Sequence, residues 1–321
     1  MNLILLSTYN GAAFLRPQLD SLVAQTEPDW VLLVRDDGSR DGTPSLLAEA
    51  AAADSRVRVV TDHVPGNVGP AGSFGVLLER GVALGGRRFL LADQDDVWHR
   101  DKVARQLAAL AGAERELGSE TPILVHSDLR VVDAELRPRH PSFLRYQGLR
   151  QPSADPLRTL LAQNFVTACA AAFNRPLALL AAPFPESAVM HDWWIALCAA
   201  AAGELRFEPD ALVDYRQHGR NTVGAPGQWG LAVRAASDAV NWWSARLAIF
   251  RGGIRQAAAL EARLTERGSG RADARALVRE YARAFDGPRG RLRRLATVAG
   301  LGVRPEGMSR RALFWWRVAL A

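Results

Sequence analysis

The sequence predicts an α/β protein: a mainly parallel sheet with helices on both faces, followed by a helical appendage. Three observations carry that expectation. Short apolar runs alternate with helical patterns through the first hundred residues, at the spacing of βαβ units. Clusters rich in Asp, Asn and Gly follow those runs. From Trp229 onward the strand signals stop and a basic 3/4 periodicity takes over.

Leu3–Leu6 reads as the first strand, closed by Ser7-Thr8-Tyr9-Asn10-Gly11, and Phe14–Gln25 as a helix. Trp30–Val34 is a second strand running into Asp36-Asp37-Gly38-Ser39, before a helix over Thr43–Ala53 with Pro44 in its first turn. Val57–Thr61, a helix over Ser73–Gly81 and the strand Phe89–Ala92 continue the alternation. Asp93-Gln94-Asp95-Asp96 follows, and Asp96 or Asp101 can cap the helix from Lys102 to Leu110. Ile123–His126 is a strand, His191-Asp192-Trp193-Trp194 open an apolar helix to about Ala202, and Leu205–Glu208 and Ala211–Tyr215 are short strands. In the last third, Val240, Trp243, Leu247, Phe250, Ile254, Ala257 and Leu264 mark one amphipathic helix. Arg271, Arg275, Arg279 and Arg283 form a basic stripe on another, and Arg289–Arg294 lies in a basic tail.

At 321 residues and 48% hydrophobic, the chain has material for one main domain and an appendage. The expected division is a catalytic domain over 1–228, with a nucleotide half over about 1–100 and an acceptor half over about 101–228, then a basic helical region over 229–321. Charge divides at the same place. Residues 230–321 hold 18 Arg against 7 acidic residues, whereas the rest of the chain is net acidic. A basic region with no nucleic-acid-binding motif beside an acidic domain argues against a nucleic-acid partner. Two readings of it stay open: contact with an anionic membrane surface, or packing on the main domain with a solvated Arg face. Cys169 and Cys198, in alanine-rich surroundings, are expected to pack as small hydrophobes. The start reads as a strand and no long apolar window appears, so the expected location is cytoplasmic, at most peripheral on the inner membrane face.

In open α/β sheets ligands bind outside the carboxyl ends of the strands. Thr8, Tyr9, Asn10, Asp37, Asn67 and Asp93–Asp96 all fall there. Residues two apart on an extended segment point the same way, so Asp93 and Asp95 can converge, with Asp96 at the turn. Paired carboxylates at the end of an apolar strand suit Mg²⁺ or Mn²⁺ with a diphosphate. Asp192, opening an apolar helix, suits a general base whose proton affinity is raised by desolvation.

LLSTYNGAAFL, VRDDGSRDGT, NVGPAGSF, LLADQDDVW, MHDWW and YRQHGRN, in that order, resemble the motifs of family 2 glycosyltransferases, and most nearly the rhamnosyltransferase-like members. The resemblance covers roughly residues 1–225. It implies a GT-A fold and an inverting, metal-dependent transfer of a sugar to a glycan or lipid-linked hydroxyl in bacterial surface polysaccharide synthesis. The donor it implies is a nucleotide-diphospho-sugar, dTDP-rhamnose or a UDP-sugar. Carried over by position, Thr8, Tyr9, Asn10, Asp37, Asn67, Asp93, Gln94 and Arg216 would bind the donor. Asp95, with Asp93 and His218, would hold the metal, and Asp192 would be the base. Trp193, Trp194 and His191 are candidates for the acceptor side. Ala168 stands before Cys169, where the family often has glycine, which bears on the backbone there. A sugar nucleotidyltransferase would want a Gly-rich basic loop after the first strand, which Ser7–Gly11 is not. A non-catalytic scaffold would have no use for Asp192.

Overall fold

The computed structural model describes residues 1–61, 66–152, 155–219, 239–287 and 290–321. Arg220 and Asn221 of the last motif, Arg289, and the expected boundary at 228/229 lie outside the described residues. Four strands, β1 (Asn2–Thr8), β2 (Val31–Asp36), β3 (Val57–Val59) and β4 (Arg88–Ala92), pair in parallel in the order β3-β2-β1-β4. Between them run α1 (Ala12–Val23), α2 (Thr43–Ala53) and α3 (Gly69–Ala83). The short β5 (Val97–Trp98) and the helix α4 (Lys102–Leu117) follow.

The second half is less regular than the sequence suggested. β6 (Ile123–Val132) carries the hairpin partner β7 (Pro138–His140), then come the short helices α5 (Phe143–Gln147) and α6 (Pro156–Leu160). β8 (Ala171–Asn174) runs antiparallel between β4 and β6, and α7 (Arg175–Ala181) and α8 (His191–Ala202) precede β9 (Glu204–Arg216). β9 is one long strand where two short ones were expected, with an irregular register beside Ser127 and Asp128. It lies parallel to β6 and antiparallel to β5. The result is one mixed nine-stranded sheet, parallel in its first half and largely antiparallel beyond β4.

Side-chain alternation divides the core between the two faces. Leu3 and Leu5 of β1 face a cluster with α3, α7 and α8, while Ile4 and Leu6 face one with α1, α2 and α4. All four are fully buried, as expected for a central strand covered on both sides.

The last third is helical throughout its described residues: α9 (Ala239–Glu266), α10 (Ala272–Arg283), α11 (Arg291–Gly300) and α12 (Met308–Leu320). Phe250, Ala257, Leu260 and Leu264 of α9 join the same cluster as α8. Gln256 Oε1 accepts from Val189 N (2.9 Å), and Arg263 donates to the carbonyls of Leu180 and Pro183, both at 2.7 Å. The packing reading therefore holds for the inner faces of these helices. The arginine stripe on α10 is a solvated face with its own carboxylates: Arg271 with Asp273, Arg279 with Glu261 and Arg283 with Glu280. No helix among the described residues is long and apolar enough to cross a membrane.

Candidate active site

The parallel strands β1, β2 and β4 and the long β9 all end at one edge of the sheet, and the polar clusters meet there. Asp95 and His218, 123 positions apart, lie with His218 Nε2 2.8 Å from Asp95 Oδ2. The His218 ring stacks on Phe14 at the start of α1, centroids 4.2 Å apart. Phe14 thus fixes the imidazole plane, a role with no signal beyond its place after the first strand.

Asp96 turns the other way. It is fully buried, and its Oδ1 accepts the backbone N–H of Arg216 at 3.1 Å. Arg216 returns the tie: its Nε donates to Asp95 O (2.8 Å) and its Nη1 to Ala134 O (2.6 Å). The guanidinium, 4% exposed, therefore clamps the end of β9 to the acidic turn. In this position it shapes the turn.

Asp93, Asp96 and Cys169 bring ligand atoms within 4.8 Å of one another. Cys169 is buried and reduced, as expected of a small packed residue, but no local spacing shows that it stands beside two carboxylates. Burial, then the charges of Asp95 and Asp192, push Asp93 up to about 7. Burial and the charges of Asp95 and Asp93 raise Asp96 well above the ordinary carboxylate range. Behind them Lys102, the only lysine, is fully buried, 3.7 Å over the Trp98 ring, and donates to Gln106 Oε1 at 2.6 Å. Gln106 continues to Ala170 O at 2.6 Å, next to Cys169. Burial pulls Lys102 down to about 7, against the charges of Cys169 and Asp96.

Asp192 opens α8, near enough to Asp93 for its charge to raise that carboxyl. Its Oδ1 accepts the N–H of Trp193 (2.6 Å), and the Ala168 N–H and the Asn164 amide also donate to it. Ala168 is thus compatible with this geometry, because its backbone N–H makes the contact. Burial raises the carboxyl to about 6, and those donors hold it down from going higher. Asn164 stood in a semi-apolar stretch that carried no functional signal.

The nucleotide-side residues divide into exposed and structural ones. Tyr9 is 47% exposed, and Asn10 and Asn67 are exposed beside it on the same edge. Asn10, at φ +47°, accepts from Arg40 N at 2.8 Å. Asn67 Oδ1 accepts from Gly69 N at 3.0 Å. Thr8 is buried, its hydroxyl donating to Asp36 (3.1 Å), so its side chain joins two strand ends and does not line the cleft. Asp37 is only 2% exposed: it pairs with Arg35 and accepts from Val68 N (3.0 Å) and Gly69 N (2.8 Å). A carboxylate so engaged anchors the entry to α3, and a base or ribose would have to share it. Gln94 Oε1 accepts Tyr9 N at 2.8 Å and its Nε2 donates to Tyr9 O at 3.2 Å. That amide sits where Gly11 has no side chain: a Cβ there would lie 2.2 Å from Gln94 Oε1.

The three acceptor-side candidates are not at an open surface. His191 is 2% exposed, stacked on Phe74 at 4.0 Å, and both ring nitrogens lack partners. Burial lowers it to about 3, so the ring is neutral. Trp193 and Trp194 are buried, their indole N–H groups bonded to Leu160 O (2.7 Å) and Ala181 O (2.9 Å). Beyond Asp192 the helix that carries them is apolar and buried from Trp193 to Ala201, so these two aromatic residues pack as core.

Residues 3–146 match the model of the family described as glycosyl transferase family 2. A Bacillus subtilis chain named as the teichuronic acid biosynthesis glycosyltransferase TuaG is 32% identical over 104 residues, 32% of this chain and 39% of that one. The dTDP-rhamnosyl transferase RfbG of Shigella flexneri is 28% identical over 106 residues, covering 33% of this chain and 36% of its own. Each alignment thus spans well under half of the relative's length. Among solved structures, the mannosyltransferase PcManGT of Pyrobaculum calidifontis, in complex with GDP-Man and Mn²⁺, superposes at a TM-score of 0.52 and 19% identity, covering 99% of this chain and 86% of that one. That likeness gives the chain a GT-A-like fold.

Proposed function

We propose, from the match of residues 3–146 to the model of glycosyl transferase family 2 and from the GT-A-like fold, that this protein is an inverting glycosyltransferase acting from a nucleotide-diphospho-sugar. The observation that carries the reading is the meeting of Asp93, Asp95, His218 and Asp192 at one strand edge, with Asp192 felt electrostatically by Asp93. A donor diphosphate at the acidic turn and a base close to it are the two requirements of a single displacement. The Asp192 carboxylate takes the proton of the acceptor hydroxyl. The hydroxyl oxygen bonds to the anomeric carbon as the bond from that carbon to the diphosphate oxygen breaks, and the bonding pair leaves with the nucleoside diphosphate.

The donor set fits a divalent cation, Mn²⁺ or Mg²⁺. Asp93 and Asp95 offer hard oxygens and His218 an imidazole, and burial first, then neighbouring carboxylates, raise the proton affinities of Asp93 and Asp96. When bound there, such a cation neutralises charge on the diphosphate. Tyr9, Asn10 and Asn67 are the exposed residues proposed to line the nucleotide; Thr8, Asp37, Gln94 and Arg216 hold the frame around it.

We assign L-rhamnose from dTDP-rhamnose as the leading donor, on the motif likeness and the relative RfbG, and a glycan or lipid-linked hydroxyl as acceptor. The setting proposed is bacterial surface polysaccharide synthesis on the cytoplasmic side of the membrane. The proposed working unit is a catalytic domain over 1–228 with a basic helical region beyond it. Incubation with a panel of dTDP-, UDP- and GDP-sugars, with Mn²⁺, Mg²⁺ or chelator, tests the reading by nucleoside diphosphate release. Metal-dependent release from one donor is expected. Binding of a donor without release by any acceptor or by water would leave a scaffold, and no binding would end the proposal.

A further inference from the structure

A cavity of about 270 Å³ lies at the other end of α8 from Asp192. Its wall includes His126 of β6, Glu204 and Phe207 of β9, Ala200 of α8, and Gln151 and Arg271. From Asp192 to Ala200 the helix rises about 12 Å. Glu204 opens β9, and Arg216, which is tied to the acidic turn, closes it. The cavity is therefore separate from the acidic edge of the sheet. The sheet explains its floor: His126 pairs with Phe207 on one side and Ala171 on the other. It shares a face with Leu124, which packs in the same cluster as α8. Arg271 N donates to Ala201 O at 3.3 Å, which brings the start of α10 to this end of α8.

His126 is 1% exposed, and its Nε2 has no hydrogen-bond partner among the described residues. Gln151 Nε2 is also buried without one. Buried polar groups are normally satisfied, so two such groups on one cavity wall point to a ligand that supplies the partner. The rings of Phe207 and Phe165, at 5.2 and 6.0 Å, hold the imidazole in place. Burial lowers it to about 3, so it is neutral. Arg271 already pairs with Asp273 at 3.5 Å, and Glu204 adds a carboxylate to the wall. An anion would meet that carboxylate and a cation the guanidinium, so neither sign is favoured. A neutral imidazole donates and accepts, the Gln151 amide donates, and Phe207 offers an apolar ring. Those are the complements of hydroxyl groups on a saturated ring. The cavity is also smaller than the roughly 300 to 1,000 Å³ of sites for drug-sized ligands. It has room for one sugar ring and not for a nucleotide sugar.

We propose that the cavity lined by His126, Gln151 and Phe207 binds a single neutral sugar ring, at a site separate from the donor site. Hydroxyls of the ring satisfy the His126 imidazole and the Gln151 amide, and its C–H face lies against Phe207. The ring is either a free sugar or one unit of a glycan chain, and the recognition chemistry is the same for both. Its use by a glycan rests on the glycosyltransferase reading; the binding itself does not.

Titration of the full chain with rhamnose, glucose or galactose tests it, followed by NMR of isotope-labelled histidine. The His126 signal is the one that His126→Phe removes. A saturable shift of that signal is expected with at least one of these sugars, and none with glucuronate or inorganic phosphate. Methyl glycosides that bind as well as the free sugars assign the site to a unit within a chain; binding of free sugars alone assigns it to a free sugar. Gln151→Ala is expected to weaken binding about tenfold. Gln151 lies outside the sheet and is half-buried, so this variant keeps the test open if His126→Phe does not fold. Circular dichroism and melting temperature confirm the fold of each. No shift of the His126 signal by any neutral sugar overturns the proposal. So does a stronger response to glucuronate or phosphate, or sugar binding undiminished in folded Gln151→Ala. Donor hydrolysis is read in parallel and should survive Gln151→Ala. Its absence from the wild type would defeat the enzyme reading while leaving the sugar titration to be judged alone.

Discussion

His218 and Asp95 make a 2.8 Å contact that joins the end of β9 region to the acidic turn after β4. Phe14 supports one side of that pair and the Arg216–Asp96 tie supports the other. His218→Ala is expected to weaken Mn²⁺ affinity by about tenfold to a hundredfold, as loss of a ligand or its close support does. Isothermal titration of Mn²⁺ in the presence of nucleoside diphosphate checks this. An unchanged affinity would remove His218 from the metal set.

Asp192→Asn keeps the shape and the hydrogen bond from Trp193 but cannot take a proton. Transfer is expected to fall by about 10²- to 10⁴-fold, with donor affinity little changed. Full transfer by a variant that still binds donor would mean another base.

The acid limb of activity follows from the Asp192 carboxyl, raised to about 6 chiefly by burial. A base works ionised, so activity should fall as pH drops through about 6. The limb should disappear from the residual activity of Asp192→Asn. A limb near the ordinary aspartate value of 3.8 would show that the site is not desolvated in solution.

Stability gives a second pH signature. Burial first, then neighbouring carboxylates, raise the folded-state affinities of Asp93 and Asp96 for protons above their unfolded values. Their protonated forms favour the fold, and that contribution is lost as pH rises through the Asp93 value of about 7. Mn²⁺ should therefore raise the melting temperature more at pH 8 than at pH 5.5, pH values chosen roughly one unit or more either side of that titration. Equal shifts at both would place the cation away from these groups.

His191→Phe separates core from acceptor site. The ring already stacks on Phe74 and carries two buried nitrogens without partners. Replacing it should leave stability equal or higher by about 1 kcal/mol and leave transfer intact. The imidazole, lowered to about 3 by burial, also opposes folding as pH falls below its unfolded value of 6.5, and the variant should lose that part of the acid sensitivity. A drop in acceptor affinity alone would restore His191 to the substrate.

The first four strands, their helices and the acidic edge were legible because a parallel strand covered on both faces is a continuous apolar run with its polar ligands at one end. The helix over Thr43–Ala53 matches to the residue. β8 was not legible: Ala171–Asn174 lies between helical stretches of alanine and has no period of its own. At the site, residue type indicated the cleft but not side-chain direction. Thr8, Asp37 and Arg216 have the right chemistry and turn inward, because strand ends also need their backbone groups satisfied. The tryptophans beside Asp192 suited either a sugar platform or the core from their sequence position, and the structure buries both. Cys169, Asn164 and Lys102 reach the site across distances that no local spacing encodes.

The enclosure of α8 reaches beyond packing. Phe250, Ala257, Leu260 and Leu264 of α9 belong to one apolar cluster with Trp193 through Ala201. The helix that presents Asp192 therefore has part of its roof supplied from beyond the division in charge and composition. The two regions differ in chemistry but share this wall, so a chain cut between them is expected to expose the apolar face of α8 to water and to lose a single melting transition.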